Sequence, residues 1–157
     1  MDEIFESIIE KASFKNSDYF RKLLKDNIKC FDEESSLLYF GLVGFLQSSS
    51  GFTNGCQKSK KCEAGVIALM AICQELGFDI EDEECFILFH LRNLGKFKIK
   101  ESVLRQELKT LAKEYPQYIM EDRELTYALK NLRKMNFITY RKSTIQLSNG
   151  LTVRYRK

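Results

Sequence analysis

Two thiols, Cys56 and Cys62, flank a five-residue stretch that carries Lys58, Lys60 and Lys61. Ammonium groups at that spacing lower a thiol pKa, which is the chemistry of a redox-responsive cysteine. The pair does not make a zinc site, because no close Cys or His pair accompanies it and His90 is the single histidine. His90 itself lies within Phe86-Ile87-Leu88-Phe89-His90-Leu91, an apolar setting that leaves poor material for Ser-His-Asp or Cys-His catalysis. No glycine-rich phosphate loop follows a strand anywhere. Carboxylates are plentiful, yet nothing selects a catalytic pair. The chain is read as a non-enzyme, with no metal and no cofactor.

The second chemistry-bearing set is cationic and falls at helical spacing. Between Glu121 and Asn136 the positions Leu125, Ala128, Leu129 and Leu132 form an apolar stripe. At 100° per residue, turning that stripe inward leaves Arg123, Tyr127, Lys130 and Lys134 outermost, with Asn131 on the flank. A helix face of this kind suits a major groove. Arg and Lys reach guanine edges or phosphates, Tyr127 bonds a phosphate or packs on a thymine methyl, and Asn131 addresses adenine. Gln106, Lys109 and Lys113 lie on the outer side of the preceding segment, suited to backbone contacts. Arg141 and Lys142 sit at the turn of a following alternating segment. Glu121, Asp122 and Glu124 oppose phosphate at the start of the same helix.

Charge divides the chain in the same sense. Residues 1–95 hold 10 Lys/Arg against 16 Asp/Glu, a balance of −6, whereas residues 96–157 hold 15 against 6, a balance of +9. An acidic half joined to a basic half is the electrostatic outline of a nucleic-acid-binding domain beside a non-binding one.

The elements that must position these groups read as helices in the first half. Ile4, Phe5, Ile8 and Ile9 mark a helix ending near Ser13. A second helix carries Tyr19, Phe20, Leu23, Leu24 and Ile28, and a third, opened by Asp32-Glu33-Glu34-Ser35, carries the apolar run Leu37–Leu46. At ten residues that run is half of the roughly 20 a membrane span requires, so it is read as a helix buried on all sides. Gln47–Lys61 is a long loop. A fourth helix, Glu63 to Leu76, stops at Gly77 and packs against the Leu37–Leu46 run. In the second half, Asp82–Leu94 is a helix and Phe97-Lys98-Ile99 a short strand. A helix burying Leu104, Leu108, Leu111 and Tyr115 follows, ended by Pro116. The helix 121–136 comes next, then strands around Phe137–Arg141 and Thr144–Leu147. Ser148-Asn149-Gly150 carries a hairpin signal before Leu151–Tyr155.

Helix, strand, helix, turn, helix and hairpin in that order resemble the winged helix-turn-helix family over about Asp82 to Tyr155. Arg123-Glu-Leu-Thr-Tyr-Ala-Leu-Lys-Asn-Leu-Arg-Lys-Met-Asn-Phe-Ile-Thr-Tyr-Arg141 has the look of a recognition helix entering the first strand of the wing. The expected fold class is mainly α: an N-terminal helical bundle and a C-terminal winged helix with a small antiparallel β-wing. Residues 1–80 form an acidic domain for dimerisation or partner binding, and residues 81–157 a basic one. The resemblance implies a transcriptional regulator on double-stranded DNA, and a homodimer is expected because a lone module of this size makes too few contacts for useful specificity. The acidic amphipathic start Met1–Glu6 is unlike a secretory signal and the five cysteines are odd in number, so a reducing, cytoplasmic location without membrane attachment is expected. Two alternatives stay open: a protein-interaction module of a larger assembly, and a small-ligand sensor with a pocket between Leu37–Leu46 and Val66–Cys73 coupled to the winged helix.

Overall fold

In a computed structural model the described residues are 22, 24–32, 37–48, 58–93, 98–111, 113, 116 and 121–154. The expected helix at Ile4–Ser13 and the thiol Cys56 lie outside them. The elements are β1 (Ile28–Asp32), β2 (Leu37–Phe40), α1 (Leu42–Ser48), α2 (Lys58–Glu75), α3 (Asp82–Asn93), β3 (Lys98–Lys100), α4 (Glu101–Leu111), α5 (Asp122–Lys134), β4 (Ile138–Arg141), β5 (Thr144–Leu147) and β6 (Leu151–Arg154). Two three-stranded antiparallel sheets result, ordered β1-β2-β6 and β3-β5-β4.

The first sheet overturns the mainly helical fold with an N-terminal helical bundle; the molecule is a mixed helix-and-sheet protein. The run Leu37–Leu46 is not one helix. Its first part alternates, with Leu38 and Phe40 buried and Leu37 and Tyr39 half-buried, and it pairs as β2 with Ile28–Asp32 on one side and Leu151–Arg154 on the other. Helix resumes only after Gly41, whose N–H donates to the Asn27 carbonyl at 2.7 Å. An apolar run without polar interruptions carries no periodicity, so sequence alone could not separate strand from helix there. Ile28, placed by its spacing at the end of a helical stripe, belongs to β1, and the helical residues 24–27 stop before it.

The Asn149-Gly150 turn closes no hairpin between β5 and β6. Strand β6 leaves the C-terminal sheet and pairs with β2, Leu151 opposite Phe40 and Leu38 opposite Val153. Gly150 permits the crossing, since a Cβ there would collide with the Tyr39 ring and the Phe40 carbonyl. Turn residues specify a reversal of direction but not the strand met afterwards.

Helix α2 begins at Lys58, five residues ahead of the expected start. It ends in a Schellman motif: Gly77 at φ 90°, its N–H on the Gln74 carbonyl at 3.1 Å, and the Phe78 N–H on the Cys73 carbonyl at 2.9 Å. Helix α5 ends the same way on Asn136 at φ 66°, with Asn136 N–H on Arg133 and Phe137 N–H on Leu132. The two phenylalanines that follow meet edge to face, ring centroids 5.1 Å apart. Between these ends lies α3, buried from Glu84 through Leu91. A Cβ on Gly65 of α2 would stand 2.8 Å from the Phe89 ring, so glycine is what lets α2 approach α3 closely. One apolar core runs from Leu24 and Phe40, through Ile72 and Ile87, to Leu132, Ile145 and Leu151.

Candidate nucleic-acid interface

Helix α5 is anchored by Leu125, Ala128, Leu129 and Leu132, all buried, and its opposite side carries Arg123, Tyr127, Lys130 and Lys134, all exposed. Tyr127 is 70% exposed, well beyond the usual state of a tyrosine. No ion pair among the described residues engages Arg123, Lys130 or Lys134. The stripe expected from the sequence is therefore assembled and open.

Arg105 of α4 fixes the angle of α5. It donates to the Asp122 carbonyl at 3.2 Å, to Thr126 Oγ1 at 2.7 Å and to Glu101 Oε1 at 3.1 Å. The Asp122 carboxylate lies 3.7 Å from Arg105 and 3.6 Å from Lys109 Nζ. Lys109, expected to meet the DNA backbone, thus spends part of its charge on Asp122, although both side chains stay exposed and the pair is weak. Gln106 and Lys113 are exposed on the same helix and just beyond its end.

Asn131 departs from the role its position on the flank implies. Instead of being free to address adenine, its Nδ2 donates to Glu84 Oε2 at 2.7 Å and to the Asp79 carbonyl at 3.3 Å. It ties α5 to the start of α3 and is a positioning residue. Glu84 in turn accepts the Glu81 N–H at 3.1 Å, the reciprocal half of a capping box. Burial raises the Glu84 pKa above the ordinary carboxylate value, while the bonds from Asn131 and Glu81 pull it back. This arrangement was not anticipated from the sequence, because Asn131 and Glu84 lie 47 residues apart along the chain.

The β4–β5 hairpin turns through Lys142 and Ser143, both at positive φ (50° and 65°), which is the type I′ geometry of a two-residue hairpin. Arg141 and Lys142 are exposed at this turn, as expected. The turn is held to α4: the Glu101 N–H donates to the Ser143 carbonyl at 2.9 Å, and the Tyr140 hydroxyl donates to Glu101 Oε2 at 2.7 Å. That bond lowers the Glu101 pKa and raises that of Tyr140. The Arg133 guanidinium lies 5.7 Å over the Tyr140 ring, coupling α5 to β4.

An acidic groove of about 620 Å³ opens beside the first turns of α3 and α5, lined by Glu81, Glu83, Glu121 and Glu124 together with Arg123 and Tyr127. A hydrogen bond with the Asp82 side chain, reinforced by burial and neighbouring carboxylates, raises the Glu83 pKa to about 7. The sequence signalled the acids at 121, 122 and 124 but not that those at 81–84 would join them.

His90 is buried in α3, its Nε2 3.1 Å from Glu107 Oε2 of α4. Cys73 and Cys85 are free, buried thiols whose pKa values burial pushes up. No group of three His, Cys, Asp or Glu able to hold a metal occurs among the described residues, and none of their helices is long and apolar enough to cross a membrane. Compared with known proteins, the chain matches no family model, no curated protein and no solved structure.

Proposed function

We propose that this protein binds double-stranded DNA, as a transcriptional regulator or a similar factor, through α5 and the β4–β5 hairpin. The observation that carries the reading is the open stripe of Tyr127, Lys130 and Lys134 on a helix whose other side is locked into the core. The order β3, α4, α5, β4, β5, with strands arranged β3-β5-β4, supports the resemblance to winged helix-turn-helix proteins. Affinity comes mainly from lysine and arginine on phosphates, so it falls steeply with salt. A lone module of this size makes few contacts, and a homodimer supplies the rest.

The acidic groove restricts the mode of docking. Phosphates are repelled from the Glu121–Glu124 end of α5, so DNA lies against the stretch from Tyr127 to Lys134 and the hairpin turn. Those same carboxylates favour a second reading, an interaction module whose α5 docks a protein rather than a polyanion.

An electrophoretic shift on random duplex DNA at two salt concentrations tests both readings. Binding that weakens with salt and is lost in Lys130→Glu/Lys134→Glu is the expected result. Absence of binding at low salt turns the assignment to the interaction module, and a bound but indifferent double variant rejects α5 as the reading helix.

A further inference from the structure

Register gives the β3-β5-β4 sheet two chemically distinct faces. Ile99, Ile138, Ile145 and Leu147 are buried on the inner one. On the outer face Lys98 stands opposite Gln146, which stands opposite Thr139. In the next row Lys100 stands opposite Thr144, which stands opposite Arg141. All six are exposed except Thr144, which is half-buried, and none is acidic. No ion pair among the described residues neutralises Lys98, Lys100 or Arg141. Three cations and three neutral hydrogen-bonding side chains thus cover a face two strand spacings wide, about 10 Å.

We infer that this outer sheet face is a second phosphate-binding surface, over which the backbone of the DNA held by α5 continues. The inference rests on the DNA-binding reading above and extends it to residues on another element. Charge complementarity selects the occupant: an acid-free cationic face matches the phosphate backbone, and it has no exposed aromatic side chain on which unpaired bases could stack. Continuity supports it as well. Thr139 follows Lys134 by five positions, so the two surfaces begin no more than about 18 Å apart. Lysines on an edge strand also deter strand pairing between molecules, and the experiment separates that role from DNA contact.

The test compares the salt dependence of duplex binding for the full chain, Lys98→Gln/Lys100→Gln, Lys98→Arg/Lys100→Arg and Lys130→Glu/Lys134→Glu. If two phosphate contacts are removed, the slope of log affinity against log salt becomes shallower by about 1.8 in the glutamine variant. The loss is equal on duplexes of different sequence, and the arginine variant keeps the full slope. Lysine acetylation of the unmodified protein, read by mass spectrometry with and without DNA, should show Lys98 and Lys100 protected alongside Lys130 and Lys134. An unchanged slope with unprotected Lys98 and Lys100, while the α5 variant loses binding, overturns the sheet-face surface and leaves the DNA-binding reading intact. A glutamine variant that self-associates but binds DNA normally overturns it too, and assigns the two lysines to guarding the strand edge. A full chain that binds no duplex at low salt overturns both.

Discussion

Asn131 and Glu84 show how one hydrogen bond ties a presented helix to the scaffold behind it. Replacing Asn131 by leucine leaves a buried carboxylate without its nearest side-chain donor. The cost of such an orphaned group is about 2 kcal/mol, read as a lower urea midpoint with an unchanged denaturant slope. Glu83 carries a prediction about pH. Its folded pKa of about 7 lies above the ordinary 4.5, so the folded state holds this proton more tightly than the unfolded chain. The resulting stabilisation is complete below pH 4.5 and is lost as pH rises through 7. Glu83→Gln should therefore flatten the fall in thermal midpoint between those values; a variant that declines as steeply as the parent assigns the dependence elsewhere.

At the scale of elements, α5 is a helix of two ends. Its last turns carry Lys130, Arg133 and Lys134, while its first turns face the acidic groove. Arg105 and Lys109 offset Asp122, but no ion pair among the described residues reaches Glu121 or Glu124. Glu121→Gln/Glu124→Gln should tighten duplex binding by about 3- to 10-fold at low salt, with the gain shrinking as salt screens it. An unaltered affinity would mean that these carboxylates do not restrict where DNA docks. The apolar stripe of α5 and the alternation of β4 and β5 were legible because each buries one face only, and one-sided burial prints its period on the sequence. The Leu37–Leu46 run, apolar throughout, held no such print.

The whole molecule is organised around α3 and the crossing of the chain at Gly150. Helix α3 contacts α1, α2 and α5, while β6 returns the chain's last described strand to the sheet that its first described strands began. The basic elements are therefore bonded into the same core as the acidic ones. Gly150→Val should expose that dependence. The new side chain meets the Tyr39 ring and a backbone carbonyl that cannot swing away, a clash worth about 2 kcal/mol. Thermal unfolding should report it, and a variant as stable as the parent would show that the crossing tolerates a side chain.

From local order alone came the identities of α2 to α5, the two-strand hairpin with Arg141 and Lys142 at its turn, and the division of α5 into a greasy and a cationic side. Each depends on neighbours within a few residues, where periodicity and turn chemistry act. Tertiary structure decided what depends on meeting a distant partner. Strand β2 exists because Ile28–Asp32 and Leu151–Arg154 flank it, Asn131 faces inward because Glu84 is there to receive it, and the outer lysines of β3 line up with Arg141 only through the register of β5. Hydrogen bonds between strands and between helices are satisfied by residues whose separation along the chain carries no periodic trace, so only the folded molecule brings them to view.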